Sequence, residues 1–429
     1  MGYVHKTKAG SYQVDYRDPT GRKKSKTFRT AKAASAFLAE TEAAKNRGSY
    51  VDPHAGKLRF GEFAERWATS QDLGARAGER TRSLLRTHVL PRWEAWPLMK
   101  IEHLAVQEWA KRLGRTLSPA TVRKAYGVMS RIMAAAVRSR LLAVNPCEGV
   151  RVTGESAGAA TAITREVFLN KLLPATPTSH RALVATAGGT GLRWGELAGL
   201  PWGSVDLDAA TLRVRQVAVE TSEEITIKPS PKTRAGVRTI PLPAFVVTEL
   251  RRLLDDRPSP SPTELVFSTA SGTAFRRSNF RRQVWRPTLV RAGLLGRVVE
   301  RGEHRFIACW PDAEGVEWEV EFHTEREAIA HVAKNAAGGL RFHDLRHSYA
   351  TWLVLDGLPV NVVQRIMGHQ KATTTLNLYT HAPTDYDRRV RDTFGPAAEE
   401  TPSLDQVDSD ASNDKITDDP PDQGNESGA

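Results

Sequence analysis

His343 and Arg346, three residues apart in "RFHDLRHSYATWL", belong to a larger set of residues able to handle a phosphate. Upstream, "TGLRWGELAGLPWGSVDLD" carries Arg193 with Glu196 one helical turn on, and "PSPKTRAGVRTIPL" carries Lys232 ahead of a strand pattern. Downstream, "VQRIMGHQKATTTLNLYTH" carries His369 and Tyr379. A phosphodiester under attack accumulates charge on its non-bridging oxygens. Two guanidiniums can fork onto those oxygens and stay charged at any working pH. A phenol, with an ordinary pKa of about 10, becomes a nucleophile where cations and a base favour its phenolate. A lysine can protonate the leaving oxygen, and a histidine can act as base or hold the phosphate. No Asp/Glu cluster of the kind that holds Mg²⁺ accompanies the set. The combination therefore suits phosphoryl transfer without a metal. Taken singly, each residue has another reading. Tyr379 also fits a packed aromatic with a hydrogen-bonded hydroxyl. Tyr386 in "TDYDRR" is a competing nucleophile, although it lacks the upstream spacing that Tyr379 keeps from the pair Gly368-His369. His343 and His347 have an i, i+4 spacing that can chelate zinc, although no third ligand is evident.

Such residues need helices and strands to hold them. Residues 1–50 read as a small unit. "SYQVDYRD" alternates Tyr12, Val14 and Tyr16 as a strand does, "DPTG" signals a turn, and "KKSKTFR" is a second, basic strand. An Ala-rich helix follows, with Thr30 as its expected N-cap. From residue 58 to about 150 the pattern is helical. Phe60, Phe63 and Trp67 share one face, and a long helix is expected from Ser118-Pro119 to Asn145-Pro146. Phe60, Trp67 and Tyr126 read as core residues. A small polar linker, "TGESAGAAT", precedes a unit at 162–392. That unit mixes helices ("REVFLNKLLPA", "RALVATAGGTGLRWGELAGL") with strands ("ATLRVRQVAV", "GVRTIPL"). The expected fold class is multidomain: a small α+β module, an all-α domain, a mostly α (α+β) chemical domain and a tail.

The net charge of +12 is uneven. From Glu399 to Ala429 there are ten acids and one base, which leaves +21 on the rest of the chain. A body that basic points to a polyanion, most simply nucleic acid. The tail, 397–429, is expected to be disordered. No run of about eighteen apolar residues suggests a membrane span, and the N-terminus shows no secretory h-region. The two cysteines, Cys147 and Cys309, lie far apart and argue for a reducing compartment. A cytoplasmic, nucleoid-associated protein is expected.

These segments resemble the tyrosine recombinases, the phage-integrase family. Its ordered signature of Arg, Lys, His-x-x-Arg, His or Trp, and Tyr is met by Arg193, Lys232, His343, Arg346, His369 and Tyr379. The flanking words "TGLRxGEL", "PKTxxxxRxIPL", "HDLRHxxAT", "GH" and "YTH" are also present. The resemblance implies a site-specific DNA strand transferase with no cofactor. Arg193 and Arg346 would clamp the scissile phosphate, and Tyr379 would attack it to give a 3′-phosphotyrosine link and a free 5′-hydroxyl. Lys232 would protonate the leaving oxygen, His343 would act as acid/base, His369 would hydrogen-bond the phosphate and Glu196 would orient the site. It further implies a core-binding domain at 58–150 and an arm-DNA-binding module at 1–50, where Arg22, Lys23, Lys24, Lys26 and Arg29 would meet DNA. Double-stranded attachment-site DNA, a homo-tetramer on it, an excisionase and a DNA-bending host factor are the implied partners. A type IB topoisomerase uses similar residues without site specificity. A non-catalytic DNA-binding regulator would tolerate loss of Tyr379.

One stretch departs from the family pattern. Some 45 residues separate Leu295 from Arg341 where a short connection is expected, and about 300–338 repeats the N-terminal module. Phe306, Ala308 and Trp310 fall where Tyr12, Val14 and Tyr16 fall, "PDAEG" matches "DPTG", and an Ala-rich helix follows. The charge is inverted, +5 over residues 10–48 against −4 over 304–338. The copy is therefore not expected to meet the DNA backbone through the same face, and a protein-contact role is the alternative to a merely ornamental insertion.

Overall fold

In the computed structural model, residues 2–19, 21–47, 50, 55–152, 161–229, 236–257 and 259–369 are described. Helix and sheet are mixed, and the described residues gather three buried cores.

The first core belongs to an antiparallel sheet of β1 (Tyr3–Lys6), β2 (Tyr12–Arg17) and β3 (Lys23–Phe28), covered by α1 (Ala31–Asn46). Alternation along β2 turns Val14 and Tyr16 inward onto Ala34 and Tyr50. The Thr30 hydroxyl caps α1 by accepting from Ala33 N.

The second core is helical: α2 (Phe60–Ser70), α3 (Ala75–Leu84), α4 (Leu90–Trp93), α5 (His103–Leu113) and α6 (Pro119–Arg138). Phe60, Phe63 and Trp67 are buried on one face of α2, and the Tyr126 hydroxyl donates to Cys147 O at 2.6 Å. Ser118 caps α6. The helix ends at Arg138, earlier than the Asn145-Pro146 signal predicts. Arg140 takes a left-handed φ of 57°, and Leu141 N returns to Ala136 O, folding Leu141 back onto the core. Asn145 instead pins the following loop, through Ser130 O and Cys147 N.

The third core is the largest. Its elements are α7 (Arg165–Val167), α8 (Thr178–Thr190), α9 (Trp194–Ala198), β4 (Val205–Asp206), β5 (Thr211–Val214), β6 (Val217–Glu220), β7 (Ile225–Lys228), β8 (Arg238–Pro241), α10 (Ala244–Asp255), α11 (Arg277–Phe280), α12 (Arg286–Arg291), β9 (Arg297–Glu300), β10 (Phe306–Pro311), β11 (Glu317–Phe322), α13 (Glu325–Asn335), α14 (Asp344–Leu355) and α15 (Val360–Met367). Two predicted elements break in two. "RALVATAGGTGLRWGELAGL" is interrupted at Gly191, whose φ of 61° ends α8 before α9 starts. "ATLRVRQVAV" is two strands in different sheets: β5 lies between β4 and β8, whereas β6, among the described residues, pairs only with β7. Gln216 marks the break by donating to Gly199 O at 2.8 Å.

The inserted copy starts at Arg297, slightly before the expected residue 300. Its register matches the N-terminal module at a constant offset. Tyr12 opposes Phe28 and Tyr16 opposes Lys24, while Phe306 opposes Phe322 and Trp310 opposes Trp318. Thr324 caps α13 as Thr30 caps α1, and Asp312 closes its turn as Asp18 does. Even the aromatic packing repeats. Tyr16 and Phe28 meet Phe37, whereas Trp310 and Phe322 meet His331. The copies differ in what they pack against. Ala308, Trp310, Ala328, Ile329, Val332 and Ala333 belong to the third core, so the insert is fused into the larger unit.

Candidate active site

Arg193 sits at the N-cap of α9, and Glu196 lies in the first turn of that helix. The Glu196 carboxylate accepts from the Arg193 backbone N and from its Nη1, each at 2.9 Å. Its opposite side takes a bidentate pair from Arg238, Nη1 to Oε1 at 3.1 Å and Nη2 to Oε2 at 3.0 Å. Arg238 is the first residue of β8, and its side chain is only 5% exposed. Arg346, one turn into α14 and equally buried, reaches across from the other side.

These three guanidiniums also meet three successive backbone carbonyls. Arg238 Nε donates to Ile366 O at 2.6 Å, Arg346 Nη2 to Met367 O, and Arg193 Nη2 to Gly368 O at 3.2 Å. The orphan carbonyls at the end of α15 are therefore capped by three cations, which also suits the negative end of the helix dipole. Arg346 Nη1 additionally donates to Gly191 O at 2.5 Å, fixing the junction between α8 and α9. Gly368 takes a φ of 63° and delivers His369 next to the cluster.

The electrostatics follow from this crowding. Burial raises the Glu196 carboxyl, but the hydrogen bonds and charge of Arg238, then the charge of Arg193, outweigh it and hold the group at about 2. Burial and the facing Arg193 push Arg346 down to about 9, still charged at neutral pH. Burial, His347 and Arg346 bring His343 to about 4, and burial with Arg346 and Arg193 brings His369 to about 4. Both histidines are therefore neutral at pH 7. Two of the three guanidiniums, Arg193 and Arg238, pair with the one carboxylate, so the cluster keeps two net positive charges that an incoming phosphate would neutralise.

His343 lies at the N-cap of α14, so it precedes the helix that carries Arg346. Arg341 and Asp344 fix that turn: Arg341 N donates to Asp344 Oδ2 at 2.9 Å, and its guanidinium grips the same carboxylate. The His343 and His347 rings stand perpendicular, with centroids 5.2 Å apart.

Arg193, Glu196, His343, Arg346 and His369 are thus brought together, and Lys232 and Tyr379 lie outside the described residues. Arg238 and Asp344 were missed from the sequence. Arg238 stands inside "GVRTIPL" at a position where strand alternation points inward with Ile240. An inward arginine demands a carboxylate, and that was the available signal. The five bases of the N-terminal module expected to meet DNA do not share a face. Lys26 packs over Phe37 at 4.6 Å on the α1 side with Lys24 in the same phase, whereas Lys23 points to the other face, 3.6 Å from Asp15. Arg22 and Arg29 flank the strand and are exposed.

Beside the cluster runs a cleft of about 1710 Å³. Leu192, Trp194 and His343 line it on the site's side, and Arg277, Arg281, Arg282, Arg286 and Arg341 carry its positive charge. Arg76 and Glu79 of α3 line it too, and Glu79 accepts from Ser222 N at 3.0 Å. A basic groove of this kind fits a nucleic acid backbone.

Residues 165–299 and 321–385 match the phage integrase family. The chain belongs to that family. As such it is a tyrosine-type site-specific DNA recombinase. The break in the match, 300–320, falls within the inserted copy. A putative prophage phiRv2 integrase of Mycobacterium tuberculosis is 26% identical over 411 residues, covering 93% of this recombinase and 96% of the relative. The ICEBs1 integrase of Bacillus subtilis is 21% identical over 401 residues, covering 91% and 98%. In fold, the recombinase is similar to the Tn1549 transposon integrase solved with transposon right end DNA, with a TM-score of 0.58 at 20% identity, covering 79% of this chain and all of that one.

Proposed function

We propose that this recombinase integrates the DNA of a mobile element, and excises it again, through a 3′-phosphotyrosine intermediate. The observation that carries the reading is the convergence of Arg193, Arg238 and Arg346 on the end of α15, with Glu196 bridging the first two, beside the arginine-lined cleft. Arg193 and Arg346 hold the scissile phosphate by its non-bridging oxygens. Glu196 and Arg238 keep Arg193 aimed, and neutral His369 donates to the phosphate. The Tyr379 oxygen attacks phosphorus and the bond to the 5′-oxygen breaks. The phenol proton passes to His343, which is neutral and able to accept it, and Lys232 protonates the departing 5′-oxygen. The reverse attack, by a 5′-hydroxyl on the phosphotyrosine, rejoins strands without an outside energy source. Duplex DNA lies in the cleft between the 58–150 and 162–392 domains, and the 1–50 module reads distal arm sites. A homo-tetramer works on cytoplasmic, nucleoid DNA with an excisionase and a DNA-bending factor. The integrase names of its relatives support the mobile-element setting.

A covalent-trapping assay tests this reading. The protein and Tyr379→Phe are incubated with labelled DNA from the junction flanking the gene and run on a denaturing gel. A protein–DNA adduct that vanishes in the variant is expected. An adduct that persists moves the nucleophile to Tyr386, and binding without any adduct favours a DNA-binding regulator.

A further inference from the structure

The inserted module is acidic overall, yet two of its bases share one face of α13. Of its five bases, Arg326 and Lys334 line the cleft, together with Ala330 between them. The spacing of 326, 330 and 334 is i, i+4, i+8, one exposed stripe along α13. The opposite side of α13 is buried: Ala328, Ile329 and Val332 pack into the third core. The helix is held there as part of a wall, because the Arg286 guanidinium donates to Ala333 O, Ala336 O and Gly338 O. Two acids, Glu325 and Glu327, share the first turn of α13, where Glu327 accepts from the Thr324 hydroxyl at 2.8 Å. Glu317, Glu319 and Glu321 alternate onto the face of β11 opposite Trp318, which shares Trp310's face toward α13. Where the N-terminal sheet carries Lys23, the copy carries Glu317, so the two modules present opposite charge on equivalent strands.

We infer that the insert is a second wall of the DNA groove, in which α13 presents Arg326 and Lys334 to the phosphates of a duplex while the acidic sheet faces away. The small Ala330 between the two bases lets the backbone approach the helix closely. The inference rests on the reading that the cleft holds DNA. It differs from a role as a protein-contact module, because the stripe continues the line of arginines already in the cleft and matches a polyanion in charge.

The test is electrostatic and needs no attachment site. Binding of the full chain to a fluorescein-labelled duplex of arbitrary sequence is measured by anisotropy over a salt series. The variants are Arg326→Gln/Lys334→Gln and, as control, Glu317→Gln/Glu319→Gln. Each lost phosphate contact flattens the slope of log K against log salt by about 0.9, so the double variant is expected to be shallower by about 1.8. The control is expected to keep the wild-type slope. Arg326 and Lys334 are exposed, so the melting midpoint of the double variant should match wild type. A double variant with the wild-type slope overturns the inference. So does an unchanged slope combined with loss of self-association, which would assign the stripe to a second copy. A wild type whose binding shows no salt dependence overturns the DNA-cleft reading itself.

Discussion

Glu196 sits between Arg193 and Arg238 with a side chain only 4% exposed. Removing one partner of such a buried pair leaves an uncompensated charge. Arg238→Met is therefore expected to destabilise the protein by about 3–5 kcal/mol, read by equilibrium denaturation, and to release the Ile366 carbonyl near the end of α15. An unchanged midpoint would mean that Arg193 alone suffices to hold Glu196. The same cluster sets a pH dependence. Glu196 has a folded pKa of about 2 against an ordinary 4.5, so its stabilisation is present above pH 4.5 and lost as pH falls from there towards 2. His343 and His369, both near 4 against an ordinary 6.5, are lowered as well. Their stabilisation is present above pH 6.5 and lost between 6.5 and 4, because the unfolded chain takes up protons first. Stability measured in steps from pH 7 should begin to fall below 6.5, well before the carboxylates titrate. A flat profile down to pH 4.5 would show that the two histidines are not held neutral.

The elements show where a sequence speaks and where it is silent. Periodicity located α2, because Phe60, Phe63 and Trp67 can be buried together only on a 3.6-residue repeat. Turn and cap signals located the strands of both copied modules, since Thr30, Asp18, Thr324 and Asp312 act within a few residues of themselves. The breaks were not legible, because their causes are distant in sequence. The α8–α9 break at Gly191 is fixed by Arg346, and the β5–β6 break by Gln216 reaching Gly199. The candidate site divides the same way. Arg193, Glu196, His343, Arg346 and His369 were readable as an ordered set of residue types. Arg238 was not, because its role comes from facing Glu196 across 42 residues and the end of α15 across 128.

At the scale of the whole molecule, two copies of one supersecondary unit have opposite structural standing. The N-terminal copy closes its own core on Val14, Tyr16, Ala34 and Tyr50. The inserted copy lends Ala308, Trp310, Ile329 and Val332 to the third core. Its exit strap leads straight into the site. Leu340 O accepts from Trp285 Nε1 at 2.7 Å, and Phe342 packs between Trp194, Phe280 and Trp285 immediately before His343. Removing residues 1–50 should therefore leave the remaining chain with a cooperative thermal transition near the wild-type midpoint. Removing 297–338 strips a buried Trp and several aliphatic side chains from the larger core. A buried Trp alone contributes about 3–5 kcal/mol, and a whole domain has only about 5–15 kcal/mol of net stability to lose. That deletion should abolish the cooperative transition and make the 162–392 region sensitive to brief proteolysis. A 297–338 deletion that melts cooperatively at the wild-type temperature would show that the insert only rests on the recombinase core and that Phe342 and His343 keep their places without it.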